Sequence, residues 1–84
     1  MNDRIRTIVA EHGRLAADIS GLSDDDDLYQ AGLTSHASVG VMLAIEIEFD
    51  IEFPDHMLKR RTFESVRNIA ESVDELLAQP ASAG

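Results

Sequence analysis

The side chain best placed for chemistry in this sequence is the hydroxyl of Ser35. It follows Gly32-Leu33-Thr34 and opens an apolar run that continues to Phe49. Thr34 can cap a helix that begins here, because its side-chain oxygen can accept an unpaired backbone N–H group at the helix start. Ser35 would then lie at the first helical position, beside those N–H groups and the positive end of the helix dipole. A phosphate ester on Ser35 would be electrostatically favoured there.

Ser35 is followed directly by His36, and this pair raises the alternative of a hydrolase. Adjacent helical residues point about 100° apart, so His36 cannot easily act as general base for Ser35. The sequence has no Gly-x-Ser-x-Gly motif and no glycine-rich phosphate loop. A helical domain of 84 residues also offers no deep pocket that excludes water. The sequence therefore argues against a free-standing enzyme and predicts no catalytic residue.

Metal binding is disfavoured as well. The acidic run 24–27 suggests calcium, but an EF-hand loop counted from Asp24 would have Leu28 at the fifth place and Ser35 at the twelfth. The histidines are scattered, and the pattern His-x-x-x-His does not occur. His12, on the apolar face of the first predicted helix, is interpreted as a partly buried structural histidine. We therefore predict no metal site and a solvated acidic loop.

The spacing of apolar residues predicts an all-α fold. Apolar positions recur at helical spacing near 3–14, 35–50 and 63–78, and a proline begins a possible short helix near 55–59. The residues from 19 to 33 break this periodicity. We therefore predict a four-helix bundle with a long loop between helices 1 and 2 and a short third helix.

The second predicted helix, 35–50, carries apolar residues on two faces. The core face is predicted to hold Ser38, Val41, Met42, Ile45 and Phe49. A domain of this size cannot bury the opposite face completely, so we interpret that face as a surface on which a partner docks. Its predicted residues, with those at its edges, are Thr34, His36, Val39, Gly40, Leu43, Glu46 and Ile47.

Three further patterns bear on the fold. Residues 45–53 alternate like a strand, but we predict a helix because helical periodicity extends back to Ser38 and a lone strand would have no partner. Met57 and Leu58 are expected to face inward. The last helix has the plainest core pattern, which comprises Phe63, Val66, Ile69, Ala70, Val73, Leu76 and Leu77.

Length, charge and composition limit the function classes. The 84 residues predict a single domain over 1–78, followed by a flexible C-terminal tail over 79–84. The net charge of −9 argues against binding to nucleic acid and favours basic protein partners.

No apolar run is long enough to cross a membrane, and the charged N-terminus is unlike a signal peptide. We expect a cytoplasmic monomer. Without cysteine, the chain has no thiol of its own.

Taken together, these residues resemble the acyl carrier protein family. The resemblance extends from Ile5 to Leu77. It rests on Leu28, on Gly32-Leu33-Thr34-Ser35 and on the acidic exit Glu48-Phe49-Asp50-Ile51-Glu52-Phe53-Pro54-Asp55.

Membership in that family would imply a covalent cofactor. The serine of the family's Gly-x-Asp-Ser-Leu motif carries 4′-phosphopantetheine, taken from coenzyme A by a phosphopantetheinyl transferase that uses Mg²⁺. The thiol of the cofactor holds the cargo as a thioester. The resemblance therefore implies attachment at Ser35. Two departures from the motif are Thr34, where the family has Asp, and His36, where it usually has Leu or Met.

The second helix also differs from that of fatty-acid carriers. Those commonly have acidic residues where this chain has Ala37, Gly40 and Ile47, all three of which are predicted to lie beyond the core face. The pattern is similar to stand-alone bacterial carriers that are aminoacylated by ligases resembling truncated class II aminoacyl-tRNA synthetases. An aminoacyl carrier is thus the first expectation. The alternatives are a carrier for fatty acid, polyketide or nonribosomal peptide synthesis, or an unmodified helical interaction module.

Overall fold

In the computed structural model, which describes residues 1–78, the fold is all-helical and contains no strand. Residues 79–84, predicted as a flexible tail, lie outside the described residues. The three α-helices are α1 (Asn2–His12), α2 (Ser35–Phe49) and α3 (Val66–Ala78). Short 3₁₀ turns occur at Ile19–Gly21, Asp55–Met57 and Arg60–Phe63.

The predicted count of four helices is not confirmed. The segment predicted as the short third helix, 55–59, contains only the 3₁₀ turn Asp55–Met57. The turn ends because Leu58 leaves the helical region, with φ −85° and ψ 71°. The long loop predicted between helices 1 and 2 is likewise not confirmed, since residues 13–34 include the 3₁₀ turn Ile19–Gly21.

The alternating segment 45–53 is helical as far as Phe49. Asp50 adopts a left-handed conformation, with φ 54° and ψ 51°, and its N–H donates to the carbonyl of Glu46. This is a common way for a helix to end. The prediction of a helix over this segment is confirmed through Phe49, and the residues from 51 to 53 leave it.

The core lies between the three helices. Val41 and Ile45 of α2 are fully buried, as are Ile69 and Val73 of α3. Leu77 was predicted in the core but is 48% exposed, because adjacent helical residues point about 100° apart and it is Leu76 that packs against the core. Leu58, also predicted to face inward, is nearly half exposed as well. The buried cluster comprises Ile5, Ile8, Val9, Leu28, Leu33, Ala37, Val41, Ile45, Phe53, Met57, Phe63, Val66, Ile69, Ala70 and Val73.

The acidic run 24–27 connects the first loop to two helices. Asp24 accepts hydrogen bonds from Asn2 and Arg6 of α1, at 2.8 and 2.9 Å. Asp25 forms an ion pair with Arg67 of α3. Both carboxylates remain accessible to solvent, with side-chain exposures of 34% and 65%, so the predicted solvated loop in addition pairs with α1 and α3. Their partners are distant in the sequence, so the run itself gave no indication of the pairing.

The side chain of Arg6 also binds backbone carbonyl groups of this loop. One nitrogen of its guanidinium donates to the carbonyls of Ile19 and Leu22, each at 2.6 Å, while another pairs with Asp24. The buried Leu28 adds a further connection, since its N–H donates to the carbonyl of Glu64 at 2.7 Å. These bonds place the loop that leads to Ser35.

We expect the Asp24 pairing to make stability depend on pH in acid. The hydrogen bonds from Asn2 and then Arg6 hold the pKa of Asp24 below its ordinary value of 3.8. A carboxyl with a lowered folded pKa stabilises the fold fully above its unfolded pKa, and this contribution disappears as the pH falls through the folded pKa. Urea unfolding between about pH 7 and about pH 3 should therefore show a smaller loss of stability for Asp24→Asn than for wild type. Asp74→Asn controls for net charge, and equal pH profiles for wild type and Asp24→Asn would contradict the prediction.

Candidate functional site

The start of α2 has the predicted geometry. Thr34 precedes the helix in an extended conformation, and its Oγ1 accepts the N–H of Ala37 at 3.0 Å. Ser35 is the first helical residue and is exposed. The capping role of Thr34 is confirmed. The Ser35 hydroxyl thus lies in solvent at the end of α2 where backbone N–H groups and the positive helix dipole favour an anion.

A second serine lies one turn further along α2 but is less available. Ser38 is half-buried, and its hydroxyl donates to the carbonyl of Ser35 at 2.7 Å. This bond connects Ser38 to the first turn of the helix. Of the two, Ser35 presents the hydroxyl that an enzyme could reach.

Gly32 directs the chain into α2. Its φ of 116° lies in the left-handed region that favours glycine. A Cβ at this position would lie 2.6 Å from the backbone nitrogen of Ala16. That nitrogen donates to the carbonyl of Ala31 at 2.9 Å, so the turn before Ser35 packs closely against the segment after α1.

We therefore expect Gly32→Ala to lower the free energy of unfolding by about 1–3 kcal/mol, from backbone strain alone. The close contact with Ala16 adds to this cost. Gly21→Ala is the matched control, because a Cβ at Gly21 would have no neighbour within 4 Å and the φ of Gly21 is not positive. Urea unfolding should show a clear loss for the first variant and a change below about 0.5 kcal/mol for the second. Equal stabilities would contradict the strain.

A groove of about 320 Å³ opens beside Ser35, between α2 and the segment 58–63. We call it the Tyr29 groove. Arg60 lies across the ring of Tyr29, with its Cζ 4.0 Å from the ring centroid. The groove is lined by Tyr29, Ser35, Ser38, Val39, Met42, Leu58, Lys59, Arg60 and Phe63.

On the other side of Val39, α1 and α2 form a second depression, which we call the α1–α2 cleft. It consists of two adjoining cavities of about 660 and 440 Å³ that share Glu11, His12, Gly40 and Leu43. The cleft is lined by Ile8, Glu11, His12, Arg14, Thr34, His36, Ala37, Val39, Gly40, Leu43, Ala44, Ile47 and Glu48.

Most of the predicted docking residues come together in this cleft. Val39 and Leu43 are half exposed, and Ile47 is 83% exposed. His36 is also exposed, and Gly40 lies in the floor where both cavities meet. The structure thus places an apolar surface beside Ser35. Its role in docking stays a prediction.

Two residues of α2 lie differently from their predicted positions. Ala37 was placed outside the core face but is buried in the core cluster. Glu46 was predicted at the edge of the docking surface, but its Oε2 accepts the N–H of Phe53 at 2.9 Å. Its carboxylate therefore holds the chain that leaves α2, and it does not line the cleft.

The structure also adds residues that the sequence analysis missed. Glu11, His12 and Arg14, at the end of α1, form one wall of the cleft. His12 is exposed, so its interpretation as a partly buried structural histidine is wrong. The apolar spacing of α1 places His12 near the apolar stripe of that helix but does not show which neighbouring element the stripe faces.

Within residues 1–78, no group of three or more potential metal ligands is placed to hold an ion. Nor does any helix in the described part have the length and apolar character to cross a membrane.

The family of this chain follows from comparison with known proteins. The family model described as "PP-binding: Phosphopantetheine attachment site" matches residues 3–73. The chain therefore belongs to the phosphopantetheine attachment family, as the resemblance to acyl carrier proteins predicted. The cofactor of this family is phosphopantetheine, which the family description names by its attachment site. An exposed serine hydroxyl at a helix start, next to an open groove, fits a covalently attached arm.

The relatives narrow the similarity further. The chain is 48% identical over 77 residues to an aminoacyl carrier protein of Agrobacterium fabrum strain C58, covering 92% of this chain and 93% of the relative. It is 36% identical over 75 residues to aminoacyl carrier protein 1 of Bradyrhizobium diazoefficiens, covering 89% and 79%. The expected similarity to the aminoacyl subgroup is confirmed.

Solved structures support the same similarity. One match is a chain in the crystal structure of an engineered Bradyrhizobium japonicum glycine:[carrier protein] ligase complexed with carrier protein from Agrobacterium tumefaciens and AMP. Its TM-score is 0.85 at 49% identity, over 88% of this chain and 99% of that one. A solution structure from Agrobacterium tumefaciens matches with a TM-score of 0.75 at 48% identity, over 92% and 93%.

Proposed function

We propose that this chain carries an amino acid as a thioester on 4′-phosphopantetheine attached to the Oγ atom of Ser35. The observation that carries the proposal is the exposed hydroxyl of Ser35 as the first residue of a capped α2. When bound, the group supplies a terminal thiol for the cargo, which a chain without cysteine lacks.

The chain's own residues contribute position and electrostatics. Thr34 fixes the helix start, so that the positive end of α2 lies beside Ser35. A phosphodiester at Ser35 keeps one negative charge, which the unpaired N–H groups and the helix dipole stabilise. The fully buried Val41 and Ile45 anchor α2 in the core and so fix the position of the helix start that carries Ser35. The chain itself catalyses no step in this proposal.

Two partners follow from the proposal. A phosphopantetheinyl transferase would modify Ser35, using coenzyme A and Mg²⁺. A ligase resembling a class II aminoacyl-tRNA synthetase would then load the amino acid. Glycine is the first cargo to test, because similar chains occur in crystal structures with a glycine:[carrier protein] ligase, one of them with a glycylated carrier protein. Thr34 caps α2 but has no negative charge. In family members with Asp at this position, that charge is presented to the transferase.

The ligase is proposed to dock on the α1–α2 cleft. The cleft adjoins the attachment site, since Thr34 and His36, the two chain neighbours of Ser35, line it. Gly40 leaves room in its floor, because a Cβ there would have only the carbonyl oxygen of His12 near it, at 3.9 Å. A partner side chain or backbone can therefore approach closely.

Loading should depend more on apolar fit than on salt. Gly40→Glu and Ile47→Glu should each impair loading by about 1–3 kcal/mol, because each places a charge in the apolar contact. Both positions are open enough that the fold should persist. The measurement is transfer of radiolabelled glycine onto the phosphopantetheinylated protein by a glycine:[carrier protein] ligase, over a salt series.

Leu77→Glu is the matched control for this experiment, since it adds the same charge to an exposed apolar position on α3, outside the cleft. Normal loading of both cleft variants, or a wild-type rate that collapses with added salt, would contradict docking on the cleft. Failure of wild type to accept glycine or any other amino acid would contradict the aminoacyl proposal itself.

A further inference from the structure

The Tyr29 groove has an unusual charge for this molecule. The chain contains 16 acidic and 7 basic residues, for a net charge of −9. Yet the charged residues that line the groove are Lys59 and Arg60, and no acidic residue is among the described lining residues. The guanidinium of Arg60 is held in place by its contact with Tyr29. The groove beside Ser35 is therefore a basic site on an acidic protein.

The positive charge of the groove acts on the terminal group of the cargo that the phosphopantetheine arm carries. The α-amine of an aminoacyl group is largely protonated near neutral pH, since free α-amino groups have pKa values of about 7.7–8.0. To enter the groove, an ammonium group would lose hydration beside two cations, without a carboxylate to pair with. Its entry is therefore unfavourable.

For acyl groups that are uncharged or end in a carboxylate, entry into the groove is favourable. An uncharged acyl group would contact the apolar side chains of Val39, Met42 and Phe63, and it loses little by leaving water. A carboxylate at the end of the acyl group could pair with Lys59 or Arg60. Ser35 itself lines the groove, so an arm on its Oγ begins at the groove edge.

We propose that the Tyr29 groove sorts cargo by charge. It holds an uncharged or acidic acyl group on the arm at Ser35, and it leaves the ammonium of an aminoacyl thioester in solvent, where an accepting enzyme can reach it. Lys59 and Arg60 are the residues that set this specificity. The inference rests on the proposed attachment at Ser35, but it does not depend on which ligase loads the chain.

The test uses cargoes that differ in charge at nearly constant size. A broad-specificity transferase would attach stable amide analogues of glycyl-, propionyl- and malonyl-coenzyme A, so that no ligase is needed. Glycyl and propionyl groups differ mainly by the exchange of an ammonium for a methyl group. Backbone amide chemical shifts of Val39, Met42 and Phe63 report on the groove, with the unloaded phosphopantetheinylated protein as reference. Propionyl and malonyl groups should shift these signals, and the glycyl group should leave them at the reference positions.

Reversing the groove charge supplies the decisive comparison. In the double variant Lys59→Glu, Arg60→Glu, the glycyl group should now shift the groove signals and the malonyl group should not. Arg61→Glu is the matched control, because Arg61 lies next in the chain but lines a different depression. It should keep the wild-type pattern. Far-ultraviolet circular dichroism would verify that all variants are folded.

The outcomes separate this inference from the proposed function. Intact mass shows first whether each analogue is attached at Ser35. If no mass is added, attachment fails and this inference falls with it. If the mass is correct but glycyl and propionyl groups shift the groove signals equally, or the charge-reversed variant keeps the wild-type pattern, sorting by charge is overturned while the carrier function stands.

Discussion

Ser35→Ala is expected to abolish attachment of the prosthetic group completely. Incubation of wild type with coenzyme A, Mg²⁺ and a broad-specificity transferase should add one phosphopantetheine to the intact mass, and the variant should gain none. The physical reason is the position of Ser35, exposed at the first residue of α2. The helix dipole and unpaired N–H groups favour a phosphodiester there, and the variant removes the only atom that forms the ester in this proposal.

The matched controls are Ser38→Ala and Ser20→Ala, which remove hydroxyls engaged with the chain itself. The hydroxyl of Ser38 donates to the carbonyl of Ser35, and that of Ser20 donates to the carboxylate of Asp18 at 2.9 Å. Both variants should accept one phosphopantetheine. Because Thr34 is unchanged in all three, the cap of α2 persists. Modification of Ser35→Ala, or its loss in Ser38→Ala, would mean that the attachment site is misassigned.

Phe63→Ala should be the most destabilising of the core truncations considered. Phe63 is 5% exposed, and its ring centroid lies 5.4 Å from that of Phe53 in a tilted arrangement. Its removal loses buried apolar area and this aromatic contact, and it leaves a cavity that the core fills only in part. We expect the free energy of unfolding to fall by about 3–5 kcal/mol. Since a domain of this size has small reserves, much of the variant should be unfolded at elevated temperature.

Val73 and Leu77 provide the comparison on α3. Both were predicted in the core, but Val73 is fully buried and Leu77 is 48% exposed. Val73→Ala should destabilise by about 2 kcal/mol or more, whereas Leu77→Ala should change stability by about 0.5 kcal/mol. Urea unfolding at neutral pH measures all three variants. Unchanged midpoints for Phe63→Ala and Val73→Ala would contradict the core assignment, and a loss for Leu77→Ala as large as for Val73→Ala would contradict its exposure.

The features that the sequence alone determined are local. Thr34 and Ser35 are neighbours, and the cap that joins Thr34 to Ala37 spans three residues, so residue types and spacing suffice to predict it. The helical character of α2 likewise depends on periodicity within one segment, which is why it outweighs the strand-like alternation up to Phe49. Family membership was predictable for the same reason, because the serine motif and the acidic exit are short patterns within the chain.

What only the tertiary structure decided depends on how the helices are rotated and where distant segments meet. Periodicity placed Ala37 beyond the core face of α2 and made His12 a partly buried structural residue, but in the folded chain Ala37 is buried in the core cluster and His12 is exposed. The pairing of Asp24 with Arg6 and the presence of Lys59 and Arg60 beside Ser35 likewise join residues far apart in the chain. Helical spacing gives the faces of each helix but not the neighbour that each face meets. The cleft and the groove therefore exist only once the core has set the helices against one another.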